Sequence, residues 1–148
     1  MLIDEDGVIY ILSEHSKLVS LTDFEQDDSE KSYVLTAKAT EVAYLGGGRP
    51  LGGKFVTTDS NTQTLYAADA ILGLIRVRNI PRLGASGGKR KQISQQSVVE
   101  IVASRVQLED GSWSEIRFAD DLDVGPKTGH VYFTDGKNFN FCSLRLPN

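Results

Sequence analysis

The sequence has little that could cross-link the chain or carry it across a bilayer. There is one cysteine, Cys142, so no disulfide can form within the chain. No apolar run approaches the roughly 18 residues that a spanning helix needs, and the acidic N-terminus is not followed by the apolar stretch of a secretory signal. The two histidines, His15 and His130, are isolated from each other and from other zinc ligands. A net charge of −4 gives no electrostatic basis for binding nucleic acid.

Helical periodicity is also absent. No window sustains an apolar spacing of 3.6 residues, so we expect no helix beyond short turns. Apolar residues instead alternate in short runs that are bounded by glycine and polar residues, a pattern typical of β-strands. The length of 148 residues fits a single domain.

A phrase that begins with a tyrosine occurs three times in the chain. The copies are YILSEHSKLVSL at 10–21, YAADAILGLIRV at 66–77 and YFTDGKNFNFCSL at 132–144. In β-rich sequence, repeats of roughly 40–50 residues are typical of propeller blades, each a four-stranded antiparallel sheet. We therefore expect Tyr10, Tyr66 and Tyr132 to occupy equivalent strands of successive blades.

The repeat predicts an all-β fold, a partial six-bladed β-propeller of about two to two and a half blades. Blade one is assigned to residues 1–45, blade two to 50–106 and the start of blade three to 118–148. The acidic stretch 23–31 and residues 81–92 are interpreted as loops, 107–117 as a polar connector, and the tail after Asp135 as a divergent or truncated end. Blades bury their faces against neighbours, so the faces at the two ends of a fragment predict self-association.

Three acidic residues, Asp120, Asp121 and Asp123, interrupt the apolar run FADDLDV at 118–124. Strand alternation places Asp121 and Asp123 on one side and Asp120 on the other. The innermost strand of a blade faces the central channel, where carboxylate oxygens can gather around a cation such as calcium. Alternatively, these acids accept hydrogen bonds from backbone N–H groups at the start of a strand.

Other polar motifs favour structural roles. The run Gly46-Gly47-Gly48-Arg49-Pro50 has the spacing of neither common phosphate loop, and it indicates a turn that needs positive φ. The stretch 4–7, DEDG, begins like a calcium loop but lacks the later ligands, which favours a tight turn. Asp69 and Asp135 both lie three residues after a repeat tyrosine, a recurrence that indicates a structural role in a turn.

Four motifs in order carry a resemblance to a known family: GGRPLG at 47–52, LYAADAILGLIRV at 65–77, FADDLDV at 118–124 and HVYFTD at 130–135. Together they resemble the strictosidine synthase-like family, and within it the adipocyte plasma membrane-associated protein group. The resemblance covers roughly residues 5–135. It implies a six-bladed propeller that handles a small-molecule substrate at its channel, by amine–aldehyde condensation or by hydrolysis of an ester or lactone.

The resemblance also implies which residues form the site. In metal-dependent relatives an Asn-Asp pair in the third blade supplies calcium ligands. The matching pair here is Asp120-Asp121, with aspartate in place of the family's asparagine. Arg49 and Asp123 are further candidates for side chains that face the channel. The family's catalytic glutamate belongs to the last blade, beyond Asn148, and a metal-binding glutamate of the first blade would precede Met1, so we expect no catalytic residue in this chain.

Three interpretations of function follow. The chain is part of an enzyme with the family's small-molecule chemistry, or a non-catalytic propeller module that binds a partner, or a truncated inactive gene product. The resemblance implies a secretory or endomembrane location for a full-length parent. The chain itself predicts no membrane segment and no nucleic-acid partner.

Overall fold

The computed structural model describes residues 1–27, 34–83, 96–136 and 140–145. All regular secondary structure in these ranges is β-strand. They are β1 (Leu2–Ile3), β2 (Ile9–Leu12), β3 (Lys17–Asp27), β4 (Val34–Tyr44), β5 (Pro50–Thr57), β6 (Thr62–Asp69), β7 (Gly73–Pro81), β8 (Val98–Ala103), β9 (Arg105–Gln107), β10 (Trp113–Glu115), β11 (Ala119–Val124), β12 (His130–Asp135) and β13 (Asn140–Arg145). A helix of the length and apolarity needed to cross a membrane does not occur among these residues.

The strands form three antiparallel meanders. Their orders are β1-β2-β3-β4, β5-β6-β7-β8 and β11-β12-β13, and we name these sheets blade one, blade two and blade three. The first strand of blade two lies against the first strands of the other two blades, as the innermost strands do around a propeller channel. The all-β, partial propeller fold that the repeat predicted is therefore confirmed.

The three tyrosines lie at the same position of the three blades. Tyr10, Tyr66 and Tyr132 are each in the second strand of a sheet, in β2, β6 and β12. Each pairs with a residue of the first strand: Leu2, Lys54 and Asp123 respectively. The predicted equivalence of the tyrosines is confirmed, and any position in one blade can be matched to its counterparts by counting from them.

Two apolar cores separate the three blades. Along β6 the side chains alternate, so that Leu65 and Ala67 pack against blade one while Tyr66 and Ala68 pack against blade three. The first core contains Tyr10, Leu18, Leu45, Phe55, Leu65, Ile75, Val77 and Ile80, and the second contains Leu74, Ile116, Leu122, Val131 and Phe133. Blade two therefore contributes side chains to both cores.

Three segments are more regular than the sequence predicted. The acidic stretch was assigned to a loop, but β3 continues to Asp27 and pairs with β4 beyond a bulge at Asp23, which has φ 52. The connector at 107–117 contains the hairpin of β9 and β10. The tail contributes β13, paired along its length with β12. In each case pairing satisfies the backbone although charged or polar residues interrupt the apolar pattern. Residues 28–31 and most of the predicted loop 81–92 lie outside the described ranges.

The turn between β1 and β2 ties blade one to blade two through a buried cluster. Asp4 accepts hydrogen bonds from the backbone N–H groups of Asp6 and Val8, at 3.0 and 2.9 Å. Its other oxygen accepts one from Gln63 Nε2 of blade two at 2.9 Å, and the same nitrogen donates to the Tyr10 hydroxyl at 3.1 Å. Burial, together with the nearby Asp4 carboxylate, raises the pKa of Tyr10, so the hydroxyl keeps its proton.

A second contact from the same turn lies nearer the surface. Arg82, which follows β7, donates two hydrogen bonds to the carboxylate of Asp6, at 2.6 and 2.8 Å. This arginine holds the pKa of Asp6 below its usual value. Thr57 also donates to Glu5. The DEDG motif is therefore the tight turn that was predicted, and all three of its acids bind blade two.

Candidate functional site on the first strands

The first strands of blades two and three carry a β-bulge at the same place. In β5 the register shifts between Pro50 and Gly52, and in β11 it shifts between Ala119 and Leu122. Each shift inserts one extra residue just after the strand begins. Bulges of this kind re-aim side chains and are frequent next to binding sites.

The candidate cation pair lies within the bulge of β11. Asp120 and Asp121 are the second and third residues of that strand, and both side chains are exposed. The sequence predicted opposite sides for them, because simple alternation was assumed, and the bulge breaks that alternation. One oxygen of Asp121 accepts the backbone N–H of Leu122 at 2.8 Å, as the alternative interpretation of these acids predicted.

Close packing of the two first strands sets the surroundings of Asp121. Gly52 of β5 lies directly beside it, and a Cβ atom at Gly52 would be 2.8 Å from the Asp120 carbonyl oxygen and 2.9 Å from the Asp121 Cα. Any side chain at position 52 would displace the neighbouring strand. Gly52 therefore leaves the space that the Asp121 carboxylate occupies, a role that the GRPLG motif did not reveal.

Asp123 forms an ion pair across the blade boundary. Its carboxylate is 3.4 Å from Lys54 Nζ of β5, and it also accepts the backbone N–H of Val124 at 2.9 Å. Both side chains of the pair are more than half exposed, so the pair contributes about 0–1 kcal/mol to stability. Sequence analysis named Asp123 but missed Lys54. The repeat register could have found it, because both residues lie opposite a repeat tyrosine.

Arg49 immediately precedes β5, in the glycine-rich turn. Its side chain is exposed and makes no ion pair within the described part of the chain, while its carbonyl oxygen accepts the N–H of Ala70 at 2.9 Å. Gly46 and Gly47 have φ values of 94° and 83°, which confirms the predicted turn. That Arg49 and Asp123 face a channel remains a prediction.

Asp69 is fully buried and stabilises the turn between β6 and β7. Its Oδ1 accepts the N–H groups of Ile71 and Leu72, both at 2.8 Å, as the predicted structural role requires. Its Oδ2 is buried without a hydrogen-bond partner among the described residues. The carboxylate fills the space beside Gly48, where any Cβ would collide with it. Asp135 is buried at the matching position of blade three.

The carboxylates of β11 do not by themselves provide the ligands that a calcium ion requires. Calcium takes about 6–8 oxygen ligands. In the described ranges no group of three or more histidine, cysteine, aspartate or glutamate side chains is placed to hold a metal ion. Asp120 and Asp121 can thus offer two carboxylates, and one oxygen of Asp121 already accepts a backbone hydrogen bond.

Exposed aromatic side chains lie on the connection that leads into β11. Trp113 of β10 is 60% exposed, and the guanidinium of Arg105 lies 5.0 Å from its ring centroid, within cation–π range. Phe118, 41% exposed, immediately precedes the strand that carries the acids. Ile116 is buried between them and anchors the hairpin on the second core.

Comparison with known proteins gives two related sequences from Arabidopsis thaliana. The protein strictosidine synthase-like 2 is 36% identical over 91 residues, which are 62% of this chain and 18% of that protein. The protein strictosidine synthase-like 10 is 29% identical over 125 residues, 84% of this chain and 27% of that protein. The chain thus spans well under a third of the length of these relatives. No protein-family profile and no solved structure matches it.

Proposed function

Since this chain belongs to the strictosidine synthase-like family, we propose that its three blades form one wall of a small-molecule site at a propeller channel. The observation that supports the proposal is the bulge in β11, which contains the exposed residues Asp120 and Asp121 where the strand packs against Gly52. The proposed substrates are those that the family resemblance implies, amines and aldehydes or esters and lactones.

Within this site, Asp120 and Asp121 are the proposed cation ligands. Two carboxylates provide charge but few of the oxygens that calcium requires, so binding by this chain is expected to be weak, with a dissociation constant no tighter than about 10⁻⁴ M. The cation would orient polar groups of a substrate at the start of β11. The two carboxylates would hold it there, and Gly52 leaves the space that the Asp121 carboxylate needs.

Calorimetric titration with calcium chloride tests the cation site. We expect weak binding by the wild type and none by Asp120→Asn/Asp121→Asn, with the fold of both checked by circular dichroism. Glu14→Gln is the control, because Glu14 is exposed in the turn after β2 and should leave binding unchanged. Equal affinity of the wild type and the double variant would remove the site, and submicromolar binding would show that further ligands take part.

Catalysis is expected to need residues that this chain does not contain. We predict no condensation of tryptamine with an aldehyde and no hydrolysis of an aromatic lactone such as dihydrocoumarin by the purified 148-residue chain. Product detection by chromatography is sufficient for both assays. Turnover that disappears in Asp121→Ala would contradict this prediction and would make Asp121 a catalytic residue.

A second candidate function, a non-catalytic binding module, is favoured by the exposed Trp113 and Phe118 on the connection before β11. Trp113 is the sole tryptophan, so its fluorescence reports on this connection alone. Dihydrocoumarin binding that quenches Trp113 and is weakened by Asp121→Ala would favour the channel site. Binding of the lactone that Phe118→Ala abolishes and Asp121→Ala leaves intact would favour the module.

A further inference from the structure

Lys54 and Asp123 occupy the same position in neighbouring blades. Lys54 lies opposite Tyr66 in β5, and Asp123 lies opposite Tyr132 in β11. The ammonium nitrogen of Lys54 is 3.4 Å from a carboxylate oxygen of Asp123. A positive charge of the chain itself therefore lies against the strand that carries the proposed cation ligands.

The same two strands also meet at Asp121. Gly52 of β5 lies beside it, because a Cβ atom at Gly52 would be 2.9 Å from the Asp121 Cα. Gly52 and Lys54 are two residues apart on one strand, as are Asp121 and Asp123 on the other. Two residues span about 7 Å of a β-strand, so the ion pair of Lys54 lies roughly that far along the strand from Asp121.

Charge is distributed unequally between these strands. The strand β11 contains three acids, Asp120, Asp121 and Asp123, and no basic residue. Lys54 is the only charged residue of β5. Both side chains of the Lys54–Asp123 pair are more than half exposed, and an exposed pair of this kind is weak. Lys54 therefore offsets one of the three negative charges of β11 without a strong bond that fixes it in place.

We propose that Lys54 competes with the cation that Asp120 and Asp121 bind and thereby lowers the calcium affinity of this pair. The inference rests on the proposed cation site. An ammonium group about 7 Å from a divalent cation repels it, and in water this repulsion weakens binding by about fourfold at roughly 0.02 M salt and about twofold at roughly 0.15 M salt. Lys54 is thus a residue that sets cation affinity without being a ligand.

Calorimetric titration of the 148-residue chain with calcium chloride, at both salt concentrations, tests this role. Lys54→Gln removes the charge and should tighten binding by about fourfold at the lower salt concentration and by about twofold at the higher one. Lys54→Arg keeps the charge and should bind calcium as the wild type does. Because Lys54 is exposed, both variants should fold, and circular dichroism checks that they do.

Lys17→Gln is the matched control. Lys17 forms the same kind of ion pair in blade one, with Glu41 at 2.7 Å, and both side chains are partly exposed. Its replacement removes the same charge from the chain but none from β5 or β11, so calcium affinity should stay at the wild-type value.

The outcomes separate this inference from the cation site on which it rests. Wild-type affinity in Lys54→Gln, together with loss of binding in Asp120→Asn/Asp121→Asn, would overturn the role of Lys54 and leave the site in place. Binding that the double variant retains, or that no variant shows, would remove both. Equal tightening by Lys54→Gln and Lys17→Gln would mean that only the net charge of the chain matters. Tightening that is confined to Lys54→Gln and larger at low salt supports the inference.

Discussion

Gln63 links two buried side chains of the neighbouring blade, and this makes it a sensitive position for stability. Its amide donates to Asp4 and to Tyr10, and all three residues are buried. Gln63→Ala would leave a carboxylate oxygen and a hydroxyl without this donor. We expect the free energy of unfolding in urea to fall by about 1–3 kcal/mol, the cost of an unsatisfied buried polar group.

The control for this variant is Gln107→Ala. Gln107 also donates one hydrogen bond, to the Gly111 carbonyl, but it is exposed, so its replacement should change stability by less than about 0.5 kcal/mol. Equal effects of the two variants would mean that the buried cluster does not stabilise the contact between the blades.

Among single residues, the sequence predicted the roles of those that recur at matching positions of the repeat and missed those that lie outside it. Tyr10, Tyr66 and Asp69 could be assigned because their positions repeat. The hydrogen bond from Gln63 to Asp4 spans 59 residues of sequence, and neither residue belongs to a repeated motif. Only the packing of the first two blades brings them together, so no pattern along the chain could reveal the pair.

The strands were predictable wherever alternation continues and unreliable where it is interrupted. The second copy of the repeat, residues 66–77, falls on β6 and β7, as expected for antiparallel strands of one blade. In β3 and β11 a bulge shifts the register. The stretch from Asp23 to Asp27 was assigned to a loop although it is part of β3, and regular alternation is interrupted between Ala119 and Leu122. A bulge depends on how the partner strand twists and packs, and this is not encoded in the alternation of one strand.

The turn between β1 and β2 should make stability depend on acid pH. The pKa of Asp6 is lowered in the folded protein by Arg82, so its stabilisation is complete above the ordinary carboxylate pKa of about 4 and is lost as the pH falls through the folded value. We expect the difference in unfolding free energy between wild type and Asp6→Asn to be constant at neutral pH and to shrink below about pH 4.

Urea unfolding at a series of pH values measures this difference. Glu14→Gln is the matched control, because Glu14 is exposed and lies beside the exposed imidazole of His15, at 3.7 Å, rather than beside an arginine. A difference between wild type and Asp6→Asn that stays unchanged at the lowest pH would show that the bond to Arg82 does not stabilise the charged form.

The described part of the molecule has two apolar cores that share blade two. This arrangement predicts how the fold responds to a substitution in one core. Phe133 is 1% exposed in the second core, so Phe133→Ala should cost about 3–5 kcal/mol. None of the residues of blade three whose side chains are described belongs to the first core. We therefore expect blade three to lose its packing while blades one and two stay folded.

Two signals separate these events during urea unfolding. Trp113 fluorescence reports on the connection between blades two and three, and far-ultraviolet circular dichroism reports on all sheets. In Phe133→Ala the fluorescence transition should occur at a lower urea concentration than the dichroism transition. In Phe55→Ala, where the substitution lies in the first core, the fluorescence transition should not shift ahead of the dichroism transition. Coincident transitions in Phe133→Ala would mean that the three blades unfold as one unit.

The contact of Asp6 with Arg82 has a consequence for the rates of folding and unfolding. Strands within each blade pair with their sequence neighbours, and such local contacts form rapidly during folding. The contact of Asp6 with Arg82, in contrast, joins residues that are 76 positions apart. It should form after the transition state for folding. Arg82→Ala is then expected to accelerate unfolding and leave the folding rate unchanged, so the turn at the start of the chain would determine how long the folded state persists. Stopped-flow measurements across urea concentrations separate the two rates.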